Sequence, residues 1–241
     1  MTTQPKPTIG VFDSGLGGLS VLGALAAECP AANLIYAADT AHVPYGNKTP
    51  DQIRARVLAM GQALINEGCT TLVVACNTAT AEAIEALRAT HPNIPIVGVE
   101  PGIKPAALNT QTGKIAVLAT AATAKSQRLA QLIARHAPHR VVHVIPCHGW
   151  ATEVEALNLE APTIIAEARE KLLPLIDAGV DQVVLGCTHY DFLAPTLSRL
   201  IGGKAQLVGV AGAVARQACK VSGCDSLTGN GTIRLMSTMN P

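Results

Sequence analysis

The sequence predicts an α/β protein of two pseudo-symmetric domains, each a parallel sheet flanked by helices, with an active site in the cleft between them. Three observations carry this. Apolar runs of strand length alternate with segments of helical periodicity along the whole chain. Hydrophobic residues make up 49% of the 241 residues but aromatics only 2%, so the core is built from Val, Ile, Leu and Ala, as in buried parallel strands. Finally, two of the apolar runs end in the same layout, a Cys followed by small polar residues and then a helical pattern.

In chain order, the strand-like runs fall at 8–12, 33–37, 71–75, 94–99, 114–119, 140–145, 182–185 and 206–210. Helical segments lie between them at 49–66, 79–90, 124–136, 162–178 and 193–201. In the last of these, Leu193, Leu197 and Leu200 mark one face at i, i+4 and i+7. Crossovers of this length return the chain in the same direction, which makes the strands parallel. Eight strands would suffice for a closed barrel, but that fold typically needs about 250 residues and a regular repeat. The Pro- and Gly-containing stretch 98–105 reads instead as a crossover between two smaller units. The expected division is residues 1–98 with 207–241 for the first domain and 99–206 for the second.

Charge excludes some classes of function. The net charge is +1, and the densest basic region interleaves Lys125, Arg128, Arg135 and Arg140 with apolar residues, as on the wet face of a helix. No basic stripe for direct nucleic-acid binding is present. The first eight residues are polar and lack the apolar core of a signal peptide. No run reaches the roughly 18 apolar residues of a membrane span, so no membrane partner is expected and the location is read as cytoplasmic. The seven cysteines include no pair at zinc-type CxxC spacing. No metal and no cofactor are expected, and the thiols should be reduced. Cys29, Cys69, Cys219 and Cys224 read as structural.

The chemistry concentrates at the repeat. Residues 71–78, Thr-Leu-Val-Val-Ala-Cys-Asn-Thr, and 182–189, Gln-Val-Val-Leu-Gly-Cys-Thr-His, each run from a buried strand through Cys to a helix. Ligands of open α/β sheets bind beyond the carboxyl ends of the strands, where Cys76 and Cys187 fall. Two similar halves would set these thiols face to face across a cleft. Inverting an amino-acid α-carbon requires removing a proton from one face and returning one to the other, a task for two opposed acid/base groups. A thiol at a helix start is suited to this, because the helix dipole and free N–H groups favour its thiolate. Asn77, Thr78, Thr188 and Asp191 are N-cap types that leave further donors exposed there, and such donors would hold the substrate carboxylate.

The opening, Ile9 to Ser20, is a strand, a glycine turn and a helix start. It fails as a dinucleotide loop, with Ser20 at the third glycine position, and it lacks the Walker lysine. Asp13 and Ser14 at the strand end would hold a substrate ammonium, or Asp13 would simply cap the helix. After the second strand, Pro44-Tyr45-Gly46 forms a turn whose backbone donors suit an anion.

Together these segments resemble the glutamate racemases of the aspartate/glutamate racemase superfamily, over nearly the whole chain. The resemblance rests on residues 12–21, on Pro44-Tyr45-Gly46, on 75–79 around Cys76, on 98–101, and on 185–190 around Cys187. It implies interconversion of L- and D-glutamate without pyridoxal phosphate, supplying D-glutamate for peptidoglycan. It further implies that Cys76 takes the α-proton of D-glutamate and Cys187 that of L-glutamate. Asp13 would assist the first thiol and His189 the second, with Glu155 on the family's acidic position. Glutamate would be held by Asp13, Ser14, Pro44, Tyr45, Gly46, Asn77, Thr78, Thr188 and His189. A homodimer is implied, and DNA gyrase inhibition is known in some members. The alternatives are an aspartate racemase with the same two-thiol logic, or a racemase that also inhibits gyrase. The segments 147–155 and 207–211, and Asp191, depart from the family pattern. Beside Cys147, His148 suggests a ligand pair less than a loop thiol at the cleft edge.

Overall fold

The computed structural model describes residues 6–224 and 229–239. In chain order its elements begin with β1 (Thr8–Asp13), α1 (Leu19–Glu28), β2 (Asn33–Ala38), α2 (Pro50–Asn66), β3 (Thr71–Val74), α3 (Asn77–Thr90) and β4 (Ile96–Gly98). Next come α4 (Ile103–Asn109), β5 (Lys114–Ala119), α5 (Ala121–Lys125), α6 (Gln127–His136), β6 (Val141–Pro146), α7 (Trp150–Glu155), α8 (Pro162–Lys171) and α9 (Leu173–Asp177). The chain ends with β7 (Gln182–Gly186), α10 (Ala194–Ile201), β8 (Gln206–Val208), α11 (Ala211–Ser222) and β9 (Ile233–Ser237).

These elements form two compact units. One takes in the chain up to Val99 and from Ala211 onward, and the other spans Glu100–Val210. The first holds a five-stranded sheet in the order β4-β3-β1-β2-β9, and the second a four-stranded sheet in the order β6-β5-β7-β8. Every strand pairing in both is parallel. The α/β class with two helix-flanked parallel sheets stands as expected.

In the first unit, strand alternation sends Phe12, Ile35, Leu72 and Val74 to a core closed by α2 and α3 through Ile53, Val57, Leu64, Ile84 and Leu87. Ile9, Val11 and Val73 alternate with these and are equally buried. Helix α1 packs on α11 and on β2, and α11 on β3 and β4. Both faces of the sheet are therefore covered, and β3 reads as an unbroken apolar run. Helix α2 starts at a capping box: Thr49 accepts from the Gln52 N–H, the Gln52 side chain accepts from the Thr49 N–H, and Pro50 follows the cap.

The second unit repeats the device. Along β5, Ala116 and Leu118 enter a core with Trp150, Ile164, Leu172, Leu193 and Leu197. Ile115, Val117 and Ala119 enter another with Ile103, Ala106 and Leu129. Ser126 caps α6 by accepting from the Leu129 N–H. Arg128 in the expected basic segment pairs with Glu100 at 2.5 Å.

Several expectations need correction. The boundary placed before residue 207 falls inside β8, whose Leu207 and Val208 pair with Val183 and Val184 of β7; the chain leaves the second unit only after Val210. A ninth strand, β9, lies outside the expected set. Its residues are mostly exposed, so it lacks the apolar signature of the central strands. The stretch 98–105 contains the start of α4 and is not wholly a crossover loop. Segment 162–178 divides into α8 and α9 at Leu172, ahead of Pro174. The cysteines are not all free: Cys29 and Cys219 form a disulfide, with Cα atoms 6.0 Å apart. Cys147 lies in a loop as expected, between β6 and α7, but it is buried in the second unit's core and not at an edge, and burial pushes its thiol well above the ordinary range.

Candidate active site

Strand order determines where chemistry can gather. In the first sheet the chain passes from β1 to β2 on one side, then to β3 on the other. The crossovers part between β1 and β3, and their carboxyl ends border a crevice. Asp13 is the last residue of β1, and Cys76 lies two residues beyond β3. The pairing of Phe12 with Val74 and the bond from the Ala75 N–H to the Phe12 carbonyl hold these two ends side by side.

Asp13 is fully buried. Its Oδ1 accepts from the Ser14 hydroxyl at 3.0 Å and from the Gly15 N–H at 3.2 Å. The Ser14 Oγ is also 3.9 Å from the Cys76 Sγ. Asp13 does not cap α1, whose N-cap is Gly18. A Cβ at Gly18 would come within 2.8 Å of the Asp13 Cβ and 3.0 Å of the Ala75 Cβ, so glycine there lets the turn close over the strand ends. Cys76 is the N-cap residue of α3 and makes no side-chain cap bond. Asn77 and Thr78 occupy the first turn, each 3% exposed. The Asn77 amide has no hydrogen-bond partner for either Oδ1 or Nδ2 among the described residues. A buried amide in this condition costs stability.

The loop after β2 carries Pro44, Tyr45 and Gly46. The Val43–Pro44 peptide is cis, and Tyr45 and Gly46 lie in a short helical turn, Tyr45–Asn47. Tyr45 points its hydroxyl to Asp39 Oδ2 at 2.6 Å. Arg56 of α2 grips the same carboxylate through Nε at 2.8 Å and Nη2 at 2.9 Å, and His42 Nδ1 lies 2.9 Å from Oδ1. Burial alone would raise the Asp39 pKa, but the bonds from Arg56, Tyr45 and His42 outweigh it and hold the carboxyl at about 2. Burial and the hydrogen bond to Asp39 push the Tyr45 phenol far above its ordinary value. This clamp fixes the turn, and sequence reasoning missed both Asp39 and Arg56. A signal existed in that Asp39 follows the end of β2 as Asp13 ends β1.

The second sheet has the same construction. The chain passes from β5 to β6 on one side and to β7 on the other, so the switch lies between β5 and β7. Cys187 is the first residue beyond β7. A short 3₁₀ segment, Thr188–Leu193, leads from the cysteine into α10, in place of the α-helix expected directly after it. The His189 Nδ1 stands 3.7 Å from the Cys187 Sγ, and its Nε2 is 2.6 Å from the Oε1 of Glu155, the last residue of α7. Thr188 and His189 are buried. Tyr190 donates to the Cys147 carbonyl and tilts against Trp150 at a ring distance of 5.4 Å. The Trp150 indole donates to Glu167. This packing holds α7, and therefore Glu155, against the 3₁₀ segment.

The structure thus gathers Asp13, Ser14, Cys76, Asn77 and Thr78 in one unit and Cys187, Thr188, His189 and Glu155 in the other. Pro44, Tyr45 and Gly46 sit in the clamped loop of the first.

Such a fold, with a thiol at the switch point of each sheet, defines an amino-acid racemase of the Asp/Glu/hydantoin racemase family, which matches residues 9–218 and to which the chain belongs. Within that family its near relatives are glutamate racemases. One from Pseudomonas aeruginosa is 44% identical over 223 residues, covering 92% of this chain and 84% of its own. The crystal structure of the Escherichia coli glutamate racemase, in complex with L-glutamate and the activator UDP-MurNAc-ala, is 33% identical with a TM-score of 0.85, covering 98% of this chain and 91% of that one. The glutamate racemase from Francisella tularensis, solved with D-glutamate, is 26% identical with a TM-score of 0.83 over 98% of this chain and 89% of that one. No helix among the described residues is long and apolar enough to cross a membrane.

Proposed function

We propose that the chain interconverts L- and D-glutamate by two-base proton transfer at Cys76 and Cys187, supplying D-glutamate for the bacterial cell wall. One observation carries this reading: each thiol stands just past a central buried strand, at the switch point of its own sheet. The reaction needs both thiols at a single α-carbon, one as thiolate and one as thiol. The thiolate removes the α-proton, the electron pair is left on the carbon, and the other thiol delivers its proton to the opposite face. The enzyme then differs from its starting state only in which sulfur bears the proton.

The surrounding groups divide the remaining work. Asp13 supports proton movement at Cys76, and the His189–Glu155 pair supports it at Cys187. The amide of Asn77, with Ser14, Thr78 and Thr188, binds the α-carboxylate and so draws charge from the developing carbanion. Pro44, Tyr45 and Gly46 form the turn that receives the side-chain carboxylate through backbone donors, since the Tyr45 hydroxyl already serves Asp39.

Circular dichroism of glutamate and aspartate in deuterated water tests this. Glutamate is expected to lose its optical activity from either enantiomer and to gain deuterium at the α-carbon. Racemisation of aspartate with glutamate untouched would overturn the choice of substrate.

A further inference from the structure

Three sulfurs in the first unit lie outside all of this chemistry. Those of Cys29, Cys219 and Cys224 all fall within 4.8 Å of one another, and all three residues are buried. The fold brings them together by three separate devices. Cys29 is the C-cap of α1, its N–H bonded to the Leu25 carbonyl. Cys219 sits in the last turn of α11, on the face that packs against α1. Cys224 is turned back onto α11 by Gly223, at φ 71°, and its N–H reaches the Cys219 carbonyl at 3.3 Å. The Ser222 hydroxyl lies 3.0 Å from the Cys219 carbonyl, to which it donates, and 3.1 Å from the Cys224 sulfur.

We propose that Cys29, Cys219 and Cys224, when reduced, form a three-thiolate site for a thiophilic d¹⁰ cation of the zinc class. Zinc–sulfur bonds of about 2.3 Å place the sulfurs of a three-thiolate site roughly 4 Å apart; the three sulfurs lie within 4.8 Å of one another, and reduction frees the joined Cys29 and Cys219 pair to part to that spacing. Three soft ligands select such a cation over magnesium or calcium. The ends of α1 and α11 reinforce the selection, because helix C-termini favour positive charge. Both converge on these sulfurs.

The Cys29–Cys219 disulfide is the metal-free, oxidised state of the same cluster. A dithiol reductant delivers two electrons and two protons to it, leaving two protein thiols and an oxidised, cyclic reductant. Each of the three thiols then gives up its proton as its bond to the metal forms. The site is thus open only to the reduced chain, and the bound cation replaces the disulfide as the link between α1 and α11.

Cadmium is the probe, read through its ultraviolet thiolate-to-metal charge-transfer band. The full-length Cys76→Ser/Cys187→Ser chain removes the two active-site thiols from the count. It is reduced with a dithiol, freed of reductant under argon and titrated. One cadmium per chain is expected, with binding weakened at least tenfold by Cys224→Ser and again by Cys219→Ser. The same chain left oxidised is expected to bind none, a control that needs no further substitution. No saturable band in the reduced chain would overturn the proposal, as would undiminished binding by a Cys224→Ser chain whose far-ultraviolet spectrum is unchanged.

Discussion

The two units use one strand order to place two thiols, yet they surround those thiols differently. Strands β6-β5-β7-β8 repeat the order of β2-β1-β3-β4, so Cys187 beyond β7 is the counterpart of Cys76 beyond β3. Beside Cys76 stands a carboxylate from the neighbouring strand, Asp13, with the Ser14 hydroxyl bonded to it. Beside Cys187 stands an imidazole two residues along the chain, backed by Glu155. Topology sets the position of each sulfur, and on the proposed mechanism the side chains gathered around it set how its proton is handled. The Asp13 carboxylate accepts from Ser14 and Gly15, whereas the imidazole sets one nitrogen against the Cys187 sulfur and the other against the Glu155 carboxylate. Two thiols proposed for mirror-image work are thus set among groups that are not mirror images.

The largest effect should come from the sulfurs themselves. Cys76→Ser and Cys187→Ser are each expected to lower racemisation by about 10²–10⁴-fold in both directions, the range for a missing acid or base. If either variant keeps full turnover from both enantiomers, the two thiols are not equivalent partners and the two-base reading fails.

A smaller effect should expose the difference between the halves. Asp13→Asn and His189→Asn leave both sulfurs in place, so the loss should stay below the about 10²–10⁴-fold of a missing base. They are expected to differ in coupling. His189→Asn and Glu155→Gln break the same imidazole–carboxylate pair, so combining them should cost little more than either alone. Asp13→Asn combined with His189→Asn should cost close to the product of the two single losses. Fully additive losses within the His189–Glu155 pair would erase the distinction.

The sequence announces this architecture unevenly. The buried strands are legible because a strand covered on both faces becomes a continuous apolar run, as at 72–74 and 183–186. Cys76 and Cys187 are legible because such runs end abruptly in Cys and small polar residues. Strand β9 is not, since it lies at the edge of its sheet beside β2 and its Ile233 and Leu235 are exposed. The disulfide is equally hidden: Cys29 and Cys219 stand 190 residues apart, and neither has a telling neighbour. Asp39 and Arg56 escape notice because their meaning lies in a contact between a loop and a helix, 17 residues apart.

The clamp at Asp39 belongs to the first unit alone and offers a moderate effect. Its carboxyl titrates near 2 when folded, against an ordinary 3.8. A carboxyl depressed on folding stabilises the folded state above its unfolded value, and that stability drains away as pH falls through the folded value. The difference is worth roughly 2 kcal/mol. Asp39→Asn should therefore be less stable than the parent at pH 7 by about that amount in urea unfolding. The gap should narrow as pH falls from about 4 to 2. A gap that stays constant over that interval would show that packing, and not charge, does the work of the clamp. Kinetically, Asp39→Asn should raise KM more than it lowers kcat, because Tyr45 and its turn lose their anchor without any change at the sulfurs.

The smallest effect concerns the residue directly after each cysteine. In the second unit this is Thr188; in the first it is Asn77, buried with both ends of its amide unpaired. An unsatisfied buried polar group costs about 1–3 kcal/mol. Asn77→Ala removes the amide and leaves a small cavity, which offsets part of the gain. A net gain of about 1 kcal/mol would raise Tm by roughly 2–4 °C for a chain of this size. The same change should weaken glutamate binding, since the amide that is unpaired in the free protein is the one proposed to meet the substrate carboxylate. Stability rising while KM rises is the signature expected of a group kept for its ligand. If Tm falls and KM is unchanged, Asn77 is a packing residue, and the two positions after the cysteines differ for structural reasons only.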